Sequence, residues 1–116
     1  MKLFAYGSLK RGKHNHDILR DAKFLTQAFI KSGYNLYIKY LPYLIKEQGG
    51  MGVVGELYEI DDATLRMCDY LEGHPILYKR ETVWVTNAET GEDVEALVYL
   101  YNCELPKGLE PRREYV

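Results

Sequence analysis

The sequence has little of what a stapled or metal-built domain requires. Its 116 residues include two cysteines, Cys68 and Cys103, far apart and outside any Cys-x-x-Cys pair. A disulfide framework and a zinc site on thiolates are therefore not expected. Two buried free thiols in a reducing compartment are. The first apolar run, Leu3 to Tyr6, is too short for a signal-peptide core or a membrane span, so a cytoplasmic location is expected. No repeat, low-complexity tract or Pro/Ser-rich linker divides the chain. Residues 1–116 are expected to form one domain, long enough to bury a core without staples.

Net charge is also nearly absent, at -2, which removes any global attraction to nucleic acid. The charge is uneven, however. Residues 1–40 hold eight Lys and Arg against Asp17 and Asp21, and the rest hold seven against fifteen Asp and Glu. Lys10, Arg11, Lys13, Arg20 and Lys23 read as a solvated basic face, or as charges that steer a small anion to a nearby turn. No nucleic-acid motif accompanies them. His14-Asn15-His16 has no third ligand at a telling spacing, so it reads as a polar loop and no metal is expected. No Gly-x-Ser-x-Gly surrounds Ser8, which disfavours a nucleophilic serine hydrolase.

What is present is mostly strand pattern. Leu3–Tyr6 reads as a buried strand stopped by Gly7-Ser8, and Lys13–Lys23 as a short helix or loop. β-Branched and aromatic residues from Phe24 to Tyr37, broken at Ser32-Gly33, read as two strands or one bent strand. Val53–Ile60, Tyr78–Thr86 and Val94–Tyr101 complete the strands. Asp61-Asp62 opens a helix that Gly73 and Pro75 close. The elements do not alternate as βαβ units. An α+β domain built on a curled sheet or small barrel fits the order better than a doubly wound sheet.

Glu72 carries the most chemical information. With the helix running from Asp61 to Glu72, Leu65, Cys68 and Glu72 share one inward face. A carboxylate there is desolvated and lies at the negative end of the helix dipole. Both effects favour the protonated form and a role in proton transfer near neutral pH. The alternative is a frayed helix end, with Glu72 exposed or paired with Lys79 or Arg80. A second candidate is Tyr6-Gly7-Ser8-Leu9, where a glycine ends a strand and free amides could hold an oxyanion or a carboxylate. Of the eleven tyrosines, most are expected in strands and core, with a few hydroxyls in a pocket.

Taken in order, these segments resemble the gamma-glutamylcyclotransferase-like family. The resemblance rests on Tyr6-Gly7-Ser8-Leu9, Gly33-Tyr34-Asn35-Leu36 with Pro42-Tyr43, and Val54-Gly55-Glu56-Leu57-Tyr58. It continues through Leu71-Glu72-Gly73-His74-Pro75 with Tyr78-Lys79-Arg80 and Ala96–Tyr101, nearly the whole chain. It implies an α+β fold, a small mixed β-barrel with flanking helices, and selects Glu72 as the catalytic acid/base. It implies that Tyr6, Gly7, Ser8, Leu9 and Tyr78 bind a small-molecule gamma-glutamyl substrate, with neither metal nor cofactor. The implied reaction is attack of the substrate's α-amine on its γ-carbonyl, releasing 5-oxoproline and an amine. The Glu-Gly-x-Pro-x-x-Tyr segment looks more like the gamma-glutamylamine branch. A non-catalytic binder of small carboxylates on the same fold is the alternative. The tail, Pro111-Arg112-Arg113-Glu114-Tyr115, departs from relatives that carry a Trp beside the terminal Tyr. None of these features sets an oligomeric state.

Overall fold

The computed structural model describes residues 1–116. Seven strands form in chain order: β1 (Lys2–Ala5), β2 (Lys23–Ile30), β3 (Tyr34–Ile38), β4 (Pro42–Lys46), β5 (Val53–Glu59), β6 (Tyr78–Asn87) and β7 (Asp93–Tyr101). One α-helix, α1 (Asp62–Glu72), and a short 3-10 turn (His16–Leu19) accompany them. Five strands close a barrel in the order β1-β5-β2-β6-β7, and β3 and β4 form a separate hairpin. The barrel closes through a parallel contact of Leu3 with Leu97, while its other pairings are antiparallel. This is the expected small mixed barrel, flanked by one α-helix and one 3-10 turn.

Two cores share β1 and β5. Phe4, Val53, Leu57, Val83, Val85 and Val98 fill the barrel with Leu36 and Leu44 of the hairpin. Leu3, Ala5, Tyr58 and Ile60 form a second layer with Leu19 of the 3-10 turn and Cys68 of α1. Alternate residues of β1 and β5 therefore point into different cores, because side chains on a strand alternate between faces. That is why both faces of β5 are buried.

The helix boundaries follow their caps. Asp61 stands just outside α1 and its carboxylate accepts the Thr64 amide at 2.8 Å. Gly73 takes a left-handed φ of 63°, and the next amide, of His74, returns to the Asp69 carbonyl at 2.9 Å. Only glycine takes that conformation freely, so the helix ends at Glu72.

Several expectations need correction. Lys13–Lys23, expected as a short helix or loop, is a loop holding a single 3-10 turn, and its last residue, Lys23, already starts β2. Strand β4 was not foreseen; its proline occupies the first position of a strand paired only with β3, where a missing N–H is tolerated. Cys68 is buried on the inner face of α1, but Cys103 is exposed, because β7 ends at Tyr101 and the chain leaves the barrel there. The charged tail is tied to the hairpin and barrel: the Arg112 amide donates to the Leu36 carbonyl and the Val54 amide to the Arg113 carbonyl, both at 2.7 Å. No helix is long and apolar enough to cross a membrane.

Candidate active site

Where β1 ends, the loop Tyr6–Leu9 forms one wall of a cavity of about 190 Å³. The end of α1 brings Glu72, the start of β4 brings Pro42, the start of β6 brings Tyr78, and β7 brings Tyr99. All six expected residues (Tyr6, Gly7, Ser8, Leu9, Glu72 and Tyr78) line this one cavity. Glu72 is the only charged side chain in its wall.

The loop is tied down by its carbonyls and side chains. Gly7 O accepts the Lys10 amide at 3.0 Å, Ser8 O accepts the Asn15 amide at 3.1 Å, and Ser8 Oγ accepts Asn15 Nδ2 at 2.9 Å. His16 Nδ1 lies 2.9 Å from Leu9 O, and the Arg11 amide donates to Glu56 Oε1 at 2.9 Å. The amides of Gly7, Ser8 and Leu9 donate to no protein acceptor. Consecutive amides left free in a concave wall are unusual, since such groups nearly always find a partner. They make a ready anion site. Gly7 is needed for space: a Cβ there would stand 2.7 Å from Cγ of Pro42.

The two tyrosines form walls. Tyr6 OH donates to the Tyr99 carbonyl at 2.6 Å, and Tyr78 OH to the Pro42 carbonyl at 2.7 Å. Burial first, then the neighbouring acidic groups, hold both phenols well above their ordinary pKa. Each keeps its proton and gives it to a carbonyl.

Glu72 is half-buried, and burial alone pushes its carboxyl up to about 7. The pairing with Lys79 or Arg80 that would have made it an ordinary surface carboxylate is not formed. Lys79 is exposed, and Arg80 is engaged by Asp69 through Nε at 2.9 Å and Nη2 at 3.1 Å. Asp69, one turn before Glu72, also accepts Tyr99 OH at 2.7 Å. Burial pushes Asp69 up, but the Arg80 and Tyr99 hydrogen bonds outweigh it and hold the carboxyl below its usual range. One helix end thus carries two carboxylates with opposite habits: Asp69 stays ionised as a brace, while Glu72 is free to take and release a proton near neutrality.

Other contributors were missed from sequence. Asn15, in sequence only part of a polar loop between histidines, fixes Ser8 and lines the cavity. Leu41, Leu71, Leu77 and Tyr99 also line it, and only the folded hairpin and barrel bring them together. The basic face is not all solvated. Lys10 is 7% exposed and donates to the Tyr115 carbonyl at 2.8 Å, and Arg11 Nε pairs with Glu56 at 3.5 Å.

The family follows from the likeness to known proteins. The family model described as gamma-glutamyl cyclotransferase, AIG2-like, matches residues 3–115. A Methanocaldococcus jannaschii protein, provisionally named a gamma-glutamylcyclotransferase, is 38% identical over 100 residues, covering 85% of this chain and 82% of its own. The rat gamma-glutamylaminecyclotransferase is 33% identical over 122 residues, covering 92% of this chain and 82% of its own. The crystal structure of a mouse AIG2-like protein superposes with a TM-score of 0.89 at 30% identity, covering 99% of this chain and 87% of that one.

Proposed function

The chain belongs to the gamma-glutamyl cyclotransferase family, and from that premise we propose that it cyclises gamma-glutamyl amides with Glu72 as the proton carrier. The observation that carries this reading is the pairing of one raised carboxyl with three unpartnered amides in a single cavity. The substrate's α-amine attacks its own γ-carbonyl and forms the C–N bond of a five-membered lactam. The amide C–N bond then breaks, and the products are 5-oxoproline and a free amine. Atoms balance without water, oxidant or cofactor.

A protonated α-amine has no lone pair to offer, so a base must take one proton first. Glu72 at about 7 is ionised often enough to accept it and acidic enough to deliver it to the departing nitrogen. The amides of Gly7, Ser8 and Leu9 suit an anionic oxygen, either the substrate's α-carboxylate or the oxyanion of the tetrahedral intermediate. Tyr6 and Tyr78 close the walls around an extended chain that must fold back on itself. Holding that conformer supplies a proximity effect. The gamma-glutamylamine branch is the favoured one, supported by the likeness to the rat gamma-glutamylaminecyclotransferase and by the Glu72-Gly73-x-Pro75-x-x-Tyr78 segment. The free thiols suit a reducing, cytoplasmic setting, and residues 1–116 act as one domain in this reading.

The test is 5-oxoproline release from gamma-glutamyl amino acids and gamma-glutamylamines by the wild type and Glu72→Gln. Product from the wild type and a loss of at least about 100-fold in the variant is expected. Equal rates from the two proteins would refute the role given to Glu72.

A further inference from the structure

The cavity, at about 190 Å³, is smaller than the roughly 300–1,000 Å³ of sites that enclose a drug-sized ligand. A glutamyl head fits it; the amine attached to that head must extend outside. Leu71 stands at the boundary. It lines the cavity and is also a wall of an open groove of about 590 Å³, shared with Ile18, Ala63, Arg66, Met67 and Tyr70. The other side of the groove is continuous as well, because the segment that supplies Asn15 to the cavity runs into the 3-10 turn that supplies Ile18.

The groove floor is a helical stripe. Ala63, Met67, Tyr70 and Leu71 fall at i, i+4, i+7 and i+8, one face of α1. That face turns away from the buried one that holds Thr64 and Cys68. Met67 is 50% exposed, Tyr70 90% and Leu71 37%. Helix stability gives no reason to expose three large apolar side chains in a row beside a catalytic cavity. A contiguous patch of this kind marks a binding surface. From Ala63 to Leu71 the stripe runs roughly 12 Å at 1.5 Å per residue. Arg66 is the only charged residue in the groove wall, and no acidic residue lines it.

We propose that this groove is the subsite for the amine portion of the substrate, and that it selects gamma-glutamyl amides of apolar alkyl or aryl amines over amides whose amine ends in a second ammonium group. The proposal rests on the cyclotransferase reading of the cavity. A hydrocarbon chain leaving the cavity past Leu71 lies along Met67 and Ala63 and covers them. A chain that ends in an ammonium meets Arg66 and no carboxylate, so it loses hydration without gaining a partner.

The experiment measures 5-oxoproline release from gamma-glutamyl methyl-, butyl-, octyl- and decylamide and from the mono-gamma-glutamyl amide of 1,8-diaminooctane. It uses the wild type and Met67→Glu, a position outside the cavity wall. In the wild type, KM should fall at least roughly tenfold from butyl to octyl, given the apolar area each methylene can bury. The diamine conjugate should lose most of that gain. Met67→Glu should abolish the gain with length and improve the diamine conjugate. Turnover of the short amides with a KM that ignores chain length would overturn the groove proposal alone. So would a length gain that survives in Met67→Glu. Sedimentation of both proteins adds a further check: a wild-type dimer that Met67→Glu converts to monomer would reassign the stripe to self-association. Absence of turnover for every amide, short ones included, would remove the cyclotransferase reading and this proposal with it.

Discussion

Tyr99 OH donates to Oδ1 of Asp69 at 2.7 Å, and the Tyr99 carbonyl accepts Tyr6 OH at 2.6 Å. A single residue of β7 therefore joins the end of α1 to the loop that begins at Tyr6. Arg80 of β6 completes the joint by gripping the same carboxylate through two nitrogens. Tyr99→Phe removes one donor from a partly buried carboxylate, and Asp69→Asn removes the charge that holds Arg80. Each should cost about 1–3 kcal/mol of stability, read as a lower urea midpoint with an unchanged slope. Because Glu72 lies one turn further on, kcat should fall several-fold in both variants while binding of 5-oxoproline changes less. Wild-type kcat in both would dissociate the brace from the site.

The pH dependence follows from Glu72. Its folded-state pKa, about 7, stands above the ordinary value of 4.5. The base form is needed for catalysis, so kcat/KM should rise with pH through an apparent pKa near 7 and then level. For stability the sign is opposite. A carboxyl whose pKa is raised by folding stabilises the fold below its unfolded pKa. That contribution is lost as pH rises through the folded value. Glu72→Gln should therefore match the wild type near pH 4 and be the more stable protein at pH 8. The shift from 4.5 to about 7 sets an upper bound of about 3 kcal/mol on the difference. Denaturant titrations of both proteins at the two pH values measure it.

Gly7 offers a test of packing at the loop. A methyl group at this position would meet the Pro42 ring at 2.7 Å, and a proline ring cannot swing aside as a long side chain does. Gly7→Ala must therefore move either the loop or the start of β4. The expected cost is about 1–3 kcal/mol. Displaced amides should raise KM more than tenfold for every gamma-glutamyl amide alike. A Gly7→Ala protein with wild-type KM would show that these amides do not hold the substrate.

The local signals were legible where one residue type carries one physical task. Asp61 and Gly73 mark the helix ends because capping chemistry is short-range, and the period of three to four residues set Glu72 on the side of Cys68. The strands of the barrel were readable from Val, Ile, Tyr and Phe. The pairing of those strands was not, since β1 meets β5 and β2 meets β6 only in the closed sheet. For the same reason Asn15, Pro42 and Tyr99 escaped notice as cavity residues: each reaches Ser8, Gly7 or Tyr6 through folding, not through spacing. Asp69 illustrates the limit best. It stands three residues from Glu72 in the same helix, yet its opposite behaviour depends on donors from Arg80 and Tyr99, which no helical pattern contains.

Lys10 gives the last prediction. Its side chain is buried, with the ammonium on the Tyr115 carbonyl at 2.8 Å and Glu114 at 3.7 Å. The Tyr115 ring packs against the barrel core, and Lys13 Nζ sits 5.4 Å from its centroid. The amide of Lys10 is bonded to Gly7 O, so one residue connects the C-terminal segment to the loop with the free amides. A steering charge would need to face solvent, and this one does not. Lys10→Met keeps most of the apolar stem but leaves a partly buried carbonyl without its donor, which should cost about 1–3 kcal/mol. Amide exchange in residues 112–116 should quicken and KM should rise several-fold. Lys10→Arg should recover part of both losses. Ionic strength separates the two roles. If Lys10 steers, raising salt should weaken kcat/KM in the wild type and have little effect in Lys10→Met. If it anchors the tail, the two salt profiles should run parallel, and parallel profiles are the expected result.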